Sequence, residues 1–180
     1  MLTAKGKYGL KALVCLASLP PEETIQASDI AGSANIPKKF LDAILGELRN
    51  AGIVHSKKGP GGGYTLARAA SDIQIGHVIR TLDGPLAPIA CASRTAYHPC
   101  RDCKDVKACA VRLTMTRVRD ATSEILDRMT IADMLNEAPQ PHARAHHPKR
   151  KSGRTAATGR LASRKAAGID RQRERGGRSG

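Results

Sequence analysis

Four thiols crowd one short stretch of this chain. Cys91, Cys100, Cys103 and Cys109 fall within nineteen residues, with eight, two and five others between neighbours. Thiolates are soft donors, and a set of this size has three chemical uses. It can hold an iron–sulfur cluster. It can close a tetrahedral site around zinc. It can also stay metal-free and answer oxidants by forming disulfides. The close pair Cys100 and Cys103 leans toward zinc on spacing alone. The stretch is polar and carries proline, so simple core packing does not account for four cysteines in it. Cys15 is a different case: it lies in the apolar run Ala12-Leu13-Val14-Cys15-Leu16-Ala17 and reads as a small buried residue.

The charge of the chain points to a polyanion. The formal net charge is +14 over 180 residues. Nucleic acid is the first partner this implies and an anionic membrane the second. No apolar run approaches the roughly 20 residues of a membrane span. Lys5, Lys7 and Lys11 ahead of Ala12–Ala17 imitate a signal peptide, but the run is very short and Lys11 adjoins it, so an amphipathic helix is expected instead. A cytoplasmic protein follows, in which cysteines are reduced thiols or metal ligands rather than structural disulfides. An enzyme is disfavoured. His55 and His77 are isolated, no carboxylate pair stands out, and the glycine run lacks the Lys-Ser/Thr ending of a phosphate-binding loop.

The elements that must position these residues can be read from periodicity. A first helix is expected over about Thr3–Ser18, capped by Thr3 and ended by Pro20-Pro21. A second, short helix covers about Ala27–Ala34. After a tight break at Asn35-Ile36, a third helix opens with Pro37 in its first turn and runs to about Asn50, with Phe40, Leu41, Ile44, Leu45 and Leu48 on its buried face. Ile53–Lys58 and Tyr64–Ala67 flank Gly59-Pro60-Gly61-Gly62-Gly63, which makes a β-hairpin. Three helices and then a hairpin is the winged helix-turn-helix order, a mainly α fold with a small β wing. A short helix follows over about Ile75–Leu82, and then the cysteine stretch. A long helix runs over about Ala110–Met129, striped by Val111, Met115, Val118, Thr122, Ile125 and Met129. It needs a partner surface, and a second copy of the chain, giving a homodimer, is the natural one. A short helix over Thr130–Leu135 closes the fold.

In this order of elements the start of the third helix would enter the major groove, exposing Lys38, Lys39 and Asp42 to base edges. Lys57 and Lys58 sit beside a turn almost without side chains, where cations and backbone approach phosphates closely.

The stretches "IPKKFLDAILGELRNA" and "GIVHSKKGPGGGYTLAR", with "KGKYGLKAL" before and "TIADML" after, resemble the Rrf2 family of bacterial regulators over about residues 1–135. The Gly-Pro-Gly-Gly-Gly-Tyr wing is the most specific part. The resemblance implies a homodimeric winged-helix regulator, often a repressor, on double-stranded DNA with an imperfect palindromic operator. It implies DNA contacts from Lys38, Lys39, Phe40 and Asp42, then Lys58, Gly59, Pro60 and Gly61; Ala43 stands where the family often has glutamine. Its cluster-binding members use three cysteines in this region, the last two spaced like Cys103 and Cys109. This moves the expectation to an iron–sulfur cluster, 2Fe–2S or 4Fe–4S. Cys91 and Cys100 are both candidates for the first ligand, and a four-cysteine site is the inclusive reading. The histidine that some members use just after the last cysteine is replaced by Arg112, which cannot ligate. The acid that others supply near the partner's N-terminus is replaced by Tyr8.

The expected organisation is a DNA-binding domain over 1–70, a short helix and cysteine loop over 71–109, dimer helix and terminal helix over 110–136, and a disordered tail over 137–180. The tail carries twelve Lys or Arg against three acids and few large apolar groups, so it cannot bury enough surface to offset ordering. It reads as a non-specific DNA tether. Truncation after Glu137 is expected to flatten the salt dependence of DNA binding, because each phosphate that the tail ceases to neutralise lowers the log–log slope by about 0.9. Fluorescence anisotropy on full and truncated chains between low and moderate salt measures this; equal slopes would leave the tail without that role.

Overall fold

The computed structural model describes residues 2–21 and 23–137. The tail expected beyond Glu137 lies outside the described residues. Helices α1 (Ala4–Ala17), α2 (Ala27–Ala34) and α3 (Lys38–Asn50) precede strands β1 (Val54–Lys57) and β2 (Gly63–Leu66), and α4 (Ile75–Asp83), α5 (Ala110–Arg128) and α6 (Ile131–Glu137) follow. The strands pair antiparallel, Val54 opposite Leu66 and Lys57 opposite Gly63. This is the expected winged helix-turn-helix. Single 3-10 turns at Ala70–Asp72 and Ala90–Ala92 are additions that periodicity does not reach.

Helix α1 runs through the middle of the fold and packs against α2, α3, α4, α6 and β2. Leu10, Ala12, Leu13 and Leu16 are buried on it, which settles the amphipathic reading of this segment. One hydrophobic cluster joins them to Leu41, Ile44, Leu45 and Leu48 of α3, to Ile75, Val78, Ile79 and Leu82 of α4, and to Ile131 of α6. Truncating any fully buried leucine of this set to alanine costs about 2–5 kcal/mol.

Close approach of α1 to α4 depends on glycine. A Cβ on Gly9 would lie 2.2 Å from Leu82 Cδ1, and one on Gly6 would lie 2.3 Å from Asp83 Oδ2. Asp83 then caps α1 from a distance in sequence. Its carboxylate accepts from the Thr3 amide at 2.9 Å, the Thr3 hydroxyl at 2.5 Å and the Gly6 amide at 3.0 Å. Thr3 Oγ1 in turn accepts from the Lys5 and Gly6 amides, as its N-cap position predicts.

The turn between α2 and α3 is fixed at both sides. Asn35 ends α2 in the left-handed region, at φ 51 and ψ 60. Lys11 Nζ donates to the Ala34 carbonyl, placing a cation at the C-terminus of α2. Pro37 sits one position earlier than expected: it precedes α3, with ψ 122, and its carbonyl accepts from the Phe40 and Leu41 amides.

Helix α5 departs from the expected single stripe. Val111, Val118 and Ile125 are 62%, 43% and 59% exposed, whereas Met115, Thr122 and Met129 turn partly inward. The six residues therefore form two faces, each with a seven-residue spacing. The inward face is anchored to α4 by Arg80 and Asp127, which make a bidentate pair at 2.6 and 2.8 Å, over Gly76. The backbone adds a bridge: the Ile75 amide donates to Met129 O and the Ile131 amide to Ile73 O, each at 3.0 Å.

Arg80 hydrogen-bonds the Asp127 carboxylate and holds it below the usual carboxylate range. A depressed folded value stabilises the fold above the unfolded carboxylate value of about 4 and loses that contribution as pH falls through the folded value. Asp127→Asn is thus expected to lower the unfolding midpoint at pH 7 and to match the parent at a pH low enough to protonate Asp127 in both the folded and the unfolded parent. Because the pair is partly exposed, the loss is modest. Urea titrations at neutral and acid pH check it, and an equal deficit at every pH would contradict it.

Candidate nucleic-acid interface and cysteine site

The exposed start of α3 presents Lys38, Lys39, Phe40 and Asp42 side by side, as the helical spacing dictates once Leu41, Ile44 and Leu45 are committed to the core. Lys38 Nζ and Asp42 Oδ2 lie 2.9 Å apart and are both largely exposed. Such a pair contributes about 0–1 kcal/mol, so it opens at little cost when a base competes. Phe40, expected on the buried face, is instead 44% exposed, and its ring meets Tyr8 edge-on at 5.9 Å between centroids. Tyr8 thus braces the helix start from α1.

The hairpin tip is exposed from His55 to Gly61, so Lys57, Lys58, Gly59, Pro60 and Gly61 all face outward. Gly59 and Gly61 have φ of 97 and 77. Gly62 is needed for space: its Cβ would fall 2.3 Å from Lys57 O. The base of the wing has a brace that periodicity misses. Ile25 and Tyr64 exchange backbone hydrogen bonds at 3.1 and 2.8 Å, and Thr24 Oγ1 donates to Gly61 O at 2.8 Å. The β-branched pair Thr24-Ile25 between polar residues was the available signal.

The cysteine segment is a loop held at both ends. Cys91 lies in the turn Ala90–Ala92 and is buried; Cys109 is the N-cap residue of α5. Between them the backbone is shaped by short polar contacts. The Ala96 amide donates to Ser93 Oγ at 3.0 Å, and Asp105 Oδ1 accepts from the Lys107 and Ala108 amides at 2.8 and 3.2 Å. These turns bring Cys100, Cys103 and Cys109 into a chain of neighbours at the start of α5. Cys103 and Cys109 have their sulfurs 3.9 Å apart. Cys100 and Cys103 come within 4.8 Å of one another, together with a carboxylate oxygen of Asp102. Cys91 lies near enough to Cys100 for that thiol to be the main influence on its acidity. The sulfurs are too far apart for a disulfide, whose S–S bond is about 2.05 Å, and all are free thiols.

Their acidities diverge. The amide N–H groups of Arg112 and Val111 point at Cys109, and the Arg112 amide is the main reason its thiol is pulled below the ordinary value. The hydrogen bond to Cys109 pushes the Cys103 thiol up, and that to Cys100, with burial, does the same for Cys91. Cys15 differs from its expectation: it is half-buried, with its sulfur 3.4 Å from Ser33 Oγ, because α2 covers only one side of it.

A family model described as Rrf2, iron-dependent transcriptional regulator, matches residues 2–137. The chain belongs to the Rrf2 family. It is accordingly a DNA-binding transcriptional regulator, and its relatives are regulators rather than enzymes. An rrf2-like HTH-type transcriptional regulator of Rhodobacter capsulatus is 44% identical over 138 residues, covering 75% of this chain and 92% of that protein. The solved structure of CymR, the global cysteine regulator of B. subtilis, superposes with a TM-score of 0.63 at 32% identity, covering 77% of this chain and 98% of that one. IscR of T. potens gives 0.61 at 28% identity, covering 81% and 93%. No helix among the described residues of this Rrf2 chain is long and apolar enough to cross a membrane.

One contact of this Rrf2 regulator is invisible to periodicity and motif alike. Arg112, which cannot ligate, donates from Nε to the Cys91 carbonyl at 2.9 Å. The divergent acidities have a direct readout. In reduced, metal-free protein, iodoacetamide is expected to modify Cys109 first, with a pH–rate midpoint below that of an ordinary thiol, and buried Cys91 last. Peptide mass spectrometry over a pH series measures the order; simultaneous modification of both would refute it.

Proposed function

We propose that this Rrf2 regulator is a homodimeric repressor of an imperfect palindromic operator, and that an iron–sulfur cluster held by Cys91, Cys100, Cys103 and Cys109 reports iron, redox state or nitric oxide to its DNA-binding face. The observation that carries the reading is the neighbourhood of Cys100, Cys103 and Cys109 at the start of α5, with buried Cys91 close by in its own turn. Two thiolates on one tetrahedral ion with bonds near 2.3 Å lie about 3.8 Å apart, and the Cys103–Cys109 separation of 3.9 Å fits that edge. Four soft donors from one chain complete the ligand set without Arg112 or Tyr8. The same set suits zinc, and the iron dependence in the family description favours the cluster. When bound, a cluster supplies a link between the four sulfurs that oxidants and nitric oxide can break.

The DNA side follows from charge and access. Lys38, Lys39, Phe40 and Asp42 go to the major groove, with the lysines matched to guanine and Asp42 to cytosine. Lys57, Lys58 and the nearly bare turn Gly59-Pro60-Gly61 go to the backbone. The exposed seam of Val111, Val118 and Ile125, with Thr114 and Ala121 between, has the seven-residue repeat of a helix that pairs with a second copy. A reducing cytoplasm keeps the thiols available. The cysteine loop adjoins the dimer helix, so gain or loss of ligation alters operator affinity only if the two arrangements differ in how they hold that helix.

Anaerobic purification is the decisive experiment. Coloured protein with iron and sulfide, bleached by air or nitric oxide with a change in operator affinity, is expected. Colourless protein with stoichiometric zinc, or Cys103–Cys109 disulfide formation without iron, moves the reading to a structural metal or a thiol switch. Independently, replacing Lys38, Lys39 and Lys58 by alanine is expected to weaken operator binding at least about 10-fold. Unchanged affinity would remove these residues from the interface.

A further inference from the structure

Cys91 faces two ways. Its thiol is buried in the cysteine loop, while its carbonyl accepts from Arg112 of α5. The next carbonyl in the same turn, Ala92 O, accepts from Arg119 Nη1 at 2.5 Å. Arg119 is only 12% exposed and is held in place by Asp120, which accepts from its Nε and Nη2 at 2.9 and 2.6 Å. Asp120 also accepts from Arg94 Nη2 at 2.8 Å, so the residue two places after the turn is drawn back onto α5. Arg112 and Arg119 are seven residues apart on one face of the helix. Between them on that face, Thr116 has a buried hydroxyl without a partner among the described residues. The face thus carries one more donor than it uses. Guanidinium groups hydrogen-bonded to backbone carbonyls are directional and always charged, so the turn is located on α5 by direction as well as distance.

The thiol group therefore grips α5 at two places. Cys109 occupies its N-cap position, and the turn of Cys91 is tied through Arg112 and Arg119 to its first and third turns. Resting on the reading that these thiols hold a metal cofactor, we propose that Arg112 and Arg119 are the positioning residues that convert a change in cysteine ligation into a change in how α5 is seated. Metal bonds fix the spacing between Cys91 and Cys109 sulfurs. Without them the spacing rests on the arginine hydrogen bonds alone, and the turn can exchange one donor of that face for another. The slack is taken up by α5, because the other end of that helix is fastened to α4 by Arg80 and Asp127. The idle Thr116 hydroxyl offers the shifted turn a donor, which gives the interface a second arrangement.

Hydrogen–deuterium exchange on the full chain, loaded with ferrous iron and sulfide or stripped of them, tests this. Parent protein is expected to show at least about a fivefold difference in exchange over residues 110–119 between the two states. Arg112→Gln with Arg119→Gln is expected to keep the parent iron content and shrink that difference to within about twofold. Arg119→Lys, which keeps the charge but not the planar fork, should restore part of it. Iron content and melting temperature are read on every variant. Where the double variant is unfolded, Arg112→Gln alone decides, since Arg112 makes one hydrogen bond to the turn and no ion pair among the described residues. Variants that load iron and keep the full exchange difference overturn the proposal, as does a parent that loads iron with no difference at all. A parent that binds no iron instead overturns the cofactor reading, and this inference with it.

Discussion

The close packing of α1 on α4 is the constraint from which the rest of the structure follows. It requires glycine at positions 6 and 9, because a side chain at either would enter Asp83 or Leu82. It sets Asp83 over the N-terminus of α1, where the carboxylate meets three donors. It also merges what could have been two cores into one. Residues of α1 and α3 share a hydrophobic cluster with α4 and α6, which flank the cysteine loop and α5. A tightly packed interior transmits displacement instead of absorbing it, and α1 is the helix that α3 and α4 both pack against.

The cysteine loop lives by the opposite rule. It has almost no apolar anchor of its own apart from Cys91 and Ala92, and it is held by polar contacts at its ends. Four thiols in one small space are a compromise. Each hydrogen bond between them favours one thiolate at the expense of its neighbour, as the opposite shifts of Cys103 and Cys109 show. Backbone amides favour the thiolate of Cys109, and on the proposed cofactor reading a metal ion would offer each ligating thiolate a positive centre.

The helices and the wing were legible because apolar periodicity and glycine chemistry are local signals. Leu41, Ile44, Leu45 and Leu48 recur at helical spacing, and a hairpin is written in Gly59-Pro60-Gly61-Gly62-Gly63. The candidate site was legible only in part. Spacing marked four cysteines but left Cys91 and Cys100 as alternatives; the fold buries Cys91 in its own turn and sets Cys100 beside Cys103. What sequence could not supply were contacts between distant residues. Thr24-Ile25 bracing the wing, Asp83 capping α1, and Arg112 reaching the Cys91 carbonyl each join groups tens of residues apart. No period of 2 or 3.6 encodes them.

The two faces of α5 show why one apolar stripe misled. A helix that packs only on its own domain needs one wide apolar face, and a helix that packs only on a partner needs one narrow seam. Val111, Met115, Val118, Thr122, Ile125 and Met129 sum to a band wide enough for either. Burial divides them, leaving the Val111–Val118–Ile125 edge to solvent while Met129 joins the core and Arg80–Asp127 pins the same end. A helix shared in this way cannot rotate to improve one contact without loosening the other. The polar contacts on its inward side, Arg112 and Arg119 to the turn of Cys91, are short, directional and few. They are the ones that can change partner without opening the core, so the adjustable part of this helix lies beside the thiols and the fixed part at its far end.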